Sequence, residues 1–169
     1  MYSGNRLNAF FSHVFLYKMF VPCYEESLGP FWYISTLFQF YFLFVPLAYF
    51  RKKLKSSKRF VRYCFVTSMF WWIITALLGI AEQRIWESFF LQYLWEFALG
   101  MTMAEHLYEG KNIEINTSVM LVIAPLGIGV AGAAKIAGGY WTAFNDVFAC
   151  FGYGAVALLL FQSSFDWLH

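Results

Sequence analysis

A stripe of polar side chains runs through the apolar segment at residues 29–47. Trp32, Ser35 and Gln39 recur at steps of three and four residues, so on a helix they share one face. Inside a membrane the Gln39 amide needs a hydrogen-bond partner, because hydrocarbon offers no water. The stripe either bonds across to a neighbouring helix or lines a substrate cavity, and residue chemistry alone favours the first.

A second polar stripe carries an ionisable group at its centre. Ser88, Gln92, Glu96 and Gly100 fall every four residues in an otherwise apolar stretch. A charge in the middle of a span is costly unless it is paired or solvated, so Glu96 is expected to face the helix bundle or a wet cavity. It could serve a functional site or accept hydrogen bonds from neighbouring helices, and the sequence favours neither.

Histidine is the side chain that most often acts as a general base. The chain has three, His13, His106 and His169, and each is predicted to be interfacial or exposed. The three cysteines show neither C-x-x-C spacing nor a nearby histidine, so no metal or redox site is predicted.

The chain as a whole is too apolar for a soluble domain. Hydrophobic residues make up 60% of its 169 residues and charged residues 13%, against roughly half and a quarter in soluble domains. A soluble protein of this size needs a larger polar coat. Aromatic residues, at 23%, suit the membrane interface. We therefore predict a polytopic transmembrane helix bundle of the all-α class, with residues 1–169 in a single domain.

A spanning helix needs about 20 mostly apolar residues. Five stretches are predicted to span the membrane: 30–50, 63–81, 88–104, 117–134 and 147–161. A short amino-terminal apolar helix is expected at 7–22, where it either crosses the membrane or lies in the interface.

Positive charge is concentrated in one connection. Seven of the twelve Lys and Arg residues lie at 51–62, between two apolar stretches. Cytoplasmic loops carry such an excess, so we predict a multi-pass cell-membrane protein with the 51–62 loop and the carboxyl terminus in the cytoplasm. Because apolar spans flank this charge on both sides, membrane topology explains it more simply than nucleic-acid binding, and no nucleic-acid partner is expected.

Two prolines and one glycine are expected to shape the helices that contain them: Pro46, Pro125 and Gly100. Residues 127–132 also match G-x-G-x-x-G, but a dinucleotide site needs a preceding strand that an apolar span does not provide. Close helix packing, with a possible break at Pro125, is the better interpretation.

Residues 32–47 resemble the characteristic helix of the acyltransferase-3 family of integral-membrane O-acyltransferases. There a Trp is followed by Leu/Ile-Ser, then by Gln-Phe/Tyr-Tyr, and later by Pro-Leu. The corresponding residues here are Trp32, Ile34-Ser35, Gln39-Phe40-Tyr41 and Pro46-Leu47. Many members carry carboxylates just before the Gln, where this chain has Leu37 and Phe38. A weaker likeness is the Phe-x-x-Gly-Met pattern at residues 97–101.

The resemblance implies that an acyl group, commonly acetyl, passes from acyl-CoA to a hydroxyl of a cell-surface carbohydrate, with no bound cofactor. Complete members have more spanning helices than this chain, so it is expected to be the later half of a larger domain. The catalytic histidine is expected on the missing amino-terminal helices, which would be partners of this chain together with the bilayer and the acceptor.

On this interpretation Trp32, Ser35, Gln39 and Tyr41 line the acyl or acceptor pocket, and Glu96 orients a polar neighbour. The alternative is a non-enzymatic membrane transport or export component, whose polar stripes would form a pathway or an interface.

Overall fold

The computed structural model describes residues 31–110 and 116–166, and every regular element in this part of the chain is helical. This confirms the all-α class. The predicted helix at 7–22 lies outside the described residues. The elements are α1 (Phe31–Leu54), α2 (Ser57–Leu77), α3 (Arg84–Glu87), α4 (Phe90–Tyr108), α5 (Thr117–Ala137), a 3-10 segment (Gly139–Phe144) and α6 (Asn145–Asp166).

Four stretches of helix are long and apolar enough to cross a membrane. They are Ile34–Leu54, Ser57–Leu77, Thr117–Ala137 and Gly139–Gln162. These correspond to four of the five predicted spans. The stretch predicted at 88–104 forms helix α4, but α4 does not reach the same apolarity, because Gln92, Glu96 and Glu105 lie on it.

The basic segment at 51–62 is almost entirely helical, which corrects its prediction as a loop. Helix α1 continues to Leu54 and α2 begins at Ser57, so Lys55 and Ser56 alone connect them. The Ser56 hydroxyl caps α2 by accepting a hydrogen bond from the Arg59 backbone N–H at 3.4 Å. Basic residues in the last turn of α1 also suit its negative dipole end. The charges therefore lie on two helix ends.

The main core lies between α2 and α4, which run antiparallel. Phe60, Trp72 and Trp95 are almost fully buried there. The Trp72 indole N–H donates to the Gln92 carbonyl at 3.2 Å, and the Trp95 backbone N–H donates to Ser68 Oγ at 3.3 Å. Both bonds satisfy polar groups that the bilayer would leave unpaired.

Among the described helices, α5 and α6 form the most extensive pair. A Cβ on Gly127 would lie 2.5 Å from the Gly152 backbone nitrogen, and one on Gly152 would lie 2.6 Å from the Ile128 backbone nitrogen. Only glycine permits this approach of two backbones. Gly129 and Gly132, from the same motif, face open space. Close packing thus depends on the first of the three motif glycines.

Two of the expected helix-shaping residues are prolines inside helices. Helix α1 runs through Pro46, and α5 runs from Thr117 to Ala137 through Pro125, so the break considered at Pro125 is not observed. Proline removes one hydrogen bond from the ladder, and the remaining turns of α5 continue past it. Gly100 lies on α4, where an added Cβ would meet open space.

Acidic side chains join two connections at the end of the bundle opposite the basic segment. Glu82 Oε1 accepts from the Gly139 backbone N–H at 2.7 Å, and Lys135 Nζ lies 3.2 Å from Glu87 Oε1. Gly138, with φ of +67°, ends α5 and turns the chain toward the 3-10 segment. These contacts fix where α6 begins.

Candidate functional site: a carboxylate-lined cavity

Helices α1, α4 and α6 enclose a cavity of about 380 Å³. Its volume lies in the range of small-molecule sites. Each helix contributes three or four side chains to its lining. They are Thr36, Leu37, Phe40, Tyr93, Glu96, Phe97, Asp146, Ala149, Cys150 and Tyr153.

The polar stripe of α1 positions the beginning of α4. Gln39 Nε2 donates to the Ser88 carbonyl at 3.2 Å, and Gln39 Oε1 accepts from the Phe90 backbone N–H at 3.1 Å. Thr36 Oγ1 donates to the same Ser88 carbonyl at 2.8 Å. The N-cap residue of α4, Phe89, provides no side-chain cap. Gln39 therefore satisfies, from another helix, a donor that the helix start leaves free.

Glu96 lies on the cavity wall, two turns into α4. Its Oε1 atom is buried and has no hydrogen-bond partner among the described residues. An acceptor that is buried without a donor is costly. A hydroxyl or amide of a bound molecule in the cavity would supply the missing donor.

Asp146 provides a second carboxyl group from the first turn of α6. Its Oδ2 atom accepts a hydrogen bond from Gln92 Nε2 at 2.7 Å, and the same amide nitrogen lies 3.3 Å from the Ala143 carbonyl. Gln92 is 4% exposed, so this bond lies in the interior. Gln92 thereby fixes the Asp146 carboxyl group beside the cavity.

Asp146 is not among the site residues predicted from the sequence. A signal was present, because Asp146 is the only acidic residue between positions 115 and 165. An isolated carboxyl group in an apolar stretch of membrane helix is a reason to look for a function or a partner. Its partner, Gln92, is 54 residues away in the sequence.

The structure distributes the other expected pocket residues over different surroundings. Ser35 is buried at 3% exposure outside the cavity lining, and Gln39 is engaged at the start of α4. Tyr41 is 70% exposed on the outer face of α1. Trp32 lies on α1, and its side chain is not among those described. Glu96 is the residue of this group that lines the cavity.

The cavity has the character of a binding site for a small polar molecule with apolar faces. Two carboxyl groups accept hydrogen bonds, while Phe40 and Phe97, stacked 4.2 Å apart, form an apolar wall. In the described residues no group of three or more His, Cys, Asp or Glu side chains could hold a metal ion. His106, from the same part of the chain, lines a different groove.

Comparison with known proteins gives one match. A family model described as an acyltransferase domain matches residues 6–168, nearly the whole chain. Neither the curated proteins nor the solved structures include a match. The matched region contains all the described helices, four of which are apolar enough to span a membrane. The resemblance noted at residues 32–47 is thus confirmed, and the chain belongs to the acyltransferase-3 family, whose members are membrane acyltransferases.

Proposed function

We propose that this chain is a membrane O-acyltransferase or a fragment of one, and that the enzyme transfers an acyl group, commonly acetyl, from acyl-CoA to a hydroxyl of a cell-surface carbohydrate. We further propose that the cavity between α1, α4 and α6 binds the acceptor. The observation that carries this proposal is the convergence of Glu96 and Asp146 on one cavity of a membrane acyltransferase.

The lining suits a sugar better than a purely apolar acceptor. Carboxyl oxygens accept hydrogen bonds from hydroxyl groups. Glu96 Oε1 has no other donor among the described residues, and Asp146 is already oriented by Gln92. The aromatic side chains of Phe40, Tyr93 and Phe97 complete the wall. Oriented acceptors beside an apolar surface are the usual design of a small-molecule site.

In the proposed reaction a general base removes the proton of the acceptor hydroxyl. The oxygen attacks the thioester carbonyl carbon, the carbon–sulfur bond breaks, and CoA leaves as a thiolate that takes up a proton. Glu96 and Asp146 orient the acceptor for this attack, and correct orientation alone can lower a barrier by several kcal/mol. The base is a histidine that the family resemblance assigns to the amino-terminal helices of a complete domain.

Filling the cavity tests this assignment. Ala149 lines the cavity, whereas Ala133 lies on the exposed face of α5, so Ala149→Phe and Ala133→Phe form a matched pair. Cell membranes that contain the whole acyltransferase, with the substitution in this chain, are given acyl-labelled acetyl-CoA, and the label in the carbohydrate fraction is measured. We expect Ala149→Phe to lower the labelling at least tenfold and Ala133→Phe to leave it within twofold.

The contradicting outcomes are distinct. Full labelling with Ala149→Phe would show that the cavity takes no part in the reaction. Label that accumulates in lipid or protein instead of carbohydrate would show that the acceptor is wrong. Thermal unfolding of the purified variants checks their folding, and Ala149→Val is the smaller replacement if the Phe variant does not fold.

A further inference from the structure

A second recess lies on the opposite face of α4, between α2, α4 and α6. This groove has a volume of about 590 Å³. Helix α2 contributes side chains from Ser57 to Phe65, α4 side chains from Trp95 to His106, and α6 a single phenylalanine. The lining residues that matter most are Lys58, Arg62, Val61, Phe65, Leu99 and Phe151.

The groove is cationic at one end and apolar at the other. On α2 the lining residues recur at helical spacing, with Lys58 and Arg62 first and Phe65 one turn later. On antiparallel α4 the order is reversed, so that Leu99 precedes His106. The Lys58 and Arg62 side chains and the His106 ring therefore lie at the end where α2 begins and α4 finishes.

Among the described residues, the cations of the groove have no ion-pair partner, in contrast to a neighbouring arginine. Arg51 lies 2.7 Å from Glu105 and also donates to Ser57 Oγ at 2.6 Å. Lys58 and Arg62 are exposed and form no ion pair in the part of the chain that the structure describes. Their charges are available to an anion.

The wall between the charged end and α6 is apolar. The Thr102 hydroxyl is occupied because it donates to the Ala98 carbonyl at 2.9 Å. Among the described wall residues, the buried polar atom without a partner is Trp95 Nε1. Phe151 is 53% exposed, so the groove opens sideways, toward the bilayer of a membrane protein. This is a wall for a hydrocarbon chain.

From this arrangement we infer that the groove binds an anionic phospholipid, with the phosphate between Lys58 and Arg62 and one acyl chain along Val61, Phe65 and Leu99. Basic pockets between membrane helices recognise anionic headgroups in this way. CoA offers phosphates too, but its pantetheine arm carries amides that need hydrogen-bond partners, and Trp95 Nε1 is the one buried polar atom without a partner among the described residues of the apolar wall.

Charge substitution within the basic segment provides the test and its control. Lys58→Gln/Arg62→Gln removes two charges from the groove, and Lys52→Gln/Lys53→Gln removes two exposed charges from the last turn of α1, outside the groove lining. The detergent-purified full chain is titrated with dioleoyl phosphatidylglycerol and with dioleoyl phosphatidylcholine, and bound lipid is counted by native mass spectrometry.

We expect the groove pair of substitutions to weaken phosphatidylglycerol binding on the order of tenfold. The control pair should change it by less than about twofold, and the original chain should prefer phosphatidylglycerol to phosphatidylcholine. Equal weakening by both pairs would overturn the site in favour of diffuse surface charge. All four side chains are exposed, and thermal unfolding checks that the variants fold.

Two further experiments test the contributions of the lipid tail and the headgroup separately. Leu99→Trp narrows the apolar wall and should weaken phosphatidylglycerol binding without removing a charge. Inorganic phosphate and CoA are added as competitors, and neither should displace the lipid at millimolar concentration. Displacement by CoA that depends on Lys58 and Arg62 would overturn the lipid assignment and make the groove a donor site. Displacement by phosphate alone would show that the tail is not bound.

Discussion

The cavity and the groove lie on opposite faces of one helix, and their chemistry is opposite. On α4, Tyr93, Glu96 and Phe97 face the cavity, whereas Leu99 and His106 face the groove. The cavity contains two carboxyl groups, and the groove has cations at one end. Because successive helical residues are rotated by about 100°, one amphipathic helix can separate an acceptor site from a charged surface site.

The two regions also differ in how their charged groups are held. In the cavity, Asp146 is fixed by Gln92 in the interior, so its geometry depends on long-range hydrogen bonds. In the groove, Lys58 and Arg62 are exposed and unpaired within the described residues. Changes at the cavity should therefore affect activity and stability, while changes at the groove should affect lipid binding.

The largest effect is expected from Glu96→Gln, which keeps the shape of the side chain and replaces one carboxyl oxygen by an amide nitrogen. If Glu96 orients the acceptor, acyl transfer to carbohydrate should fall roughly 10- to 100-fold. Glu109→Gln, at the exposed end of α4, is the matched control and should remain within twofold of the original rate. Phosphatidylglycerol binding should be unchanged in both variants, and a loss of lipid binding with Glu96→Gln would show that the two regions are not independent.

Gly127→Ala should disturb both regions together, because α6 carries lining residues of each. The added Cβ would lie 2.5 Å from the Gly152 nitrogen and 2.7 Å from the Phe148 carbonyl oxygen. We expect the free energy of unfolding to fall by about 2–3 kcal/mol, as for an overpacked core. Gly129→Ala meets open space and should be neutral or slightly stabilising. Denaturant titration in detergent measures the free energy of unfolding of both variants. Equal losses in the two would contradict the close contact of α5 and α6.

Gln92→Leu should weaken the cavity side alone. The substitution leaves the Asp146 carboxyl group and the Ala143 carbonyl without their amide donor. Interhelical hydrogen bonds in membrane proteins are modest, so the expected loss is about 1–2 kcal/mol of unfolding free energy. Acyl transfer should also fall, because Asp146 is no longer oriented. Unchanged acyl transfer would show that Asp146 does not orient the acceptor.

The smallest effect is expected from Glu105→Gln at the end of α4 near the groove. The Arg51–Glu105 ion pair is partly exposed, with side-chain exposures of 17% and 36%. Pairs of this kind contribute less than about 1 kcal/mol. Thermal unfolding should therefore change little, and Arg51, released beside Ser57, should strengthen phosphatidylglycerol binding slightly. A large loss of stability would show that this pair holds α4 in place.

Local regularities of the sequence predicted much of this structure. The helices at 30–50, 117–134 and 147–161 are found within a few residues of their predicted ends, since apolar length sets a span. The inward position of Glu96 followed from its place in a four-residue stripe. The ends were less well predicted at 51–62, where the basic residues were assigned to a loop and instead extend two helices.

The residues that line the cavity were harder to predict from the sequence. Gln39 lies on the expected stripe, yet it satisfies the start of α4 rather than lining the cavity, because its neighbour is the Ser88–Phe90 turn. Asp146 reaches the cavity because the 3-10 segment sets where α6 begins. In the motif at 127–132 the first glycine packs tightly against the backbone of α6, whereas the other two face open space, although all three are the same residue type.

The sequence by itself determined the helical class, the apolar spans, the family and the inward face of α4, because these depend on composition and on the period of the helix. Tertiary structure alone decided that Asp146 joins Glu96, that Gln39 caps a distant helix, and that Lys58 and Arg62 lie exposed beside an apolar wall. Each of these depends on which helix faces pack against each other. Contacts between residues about 50 positions apart leave no local pattern in the sequence.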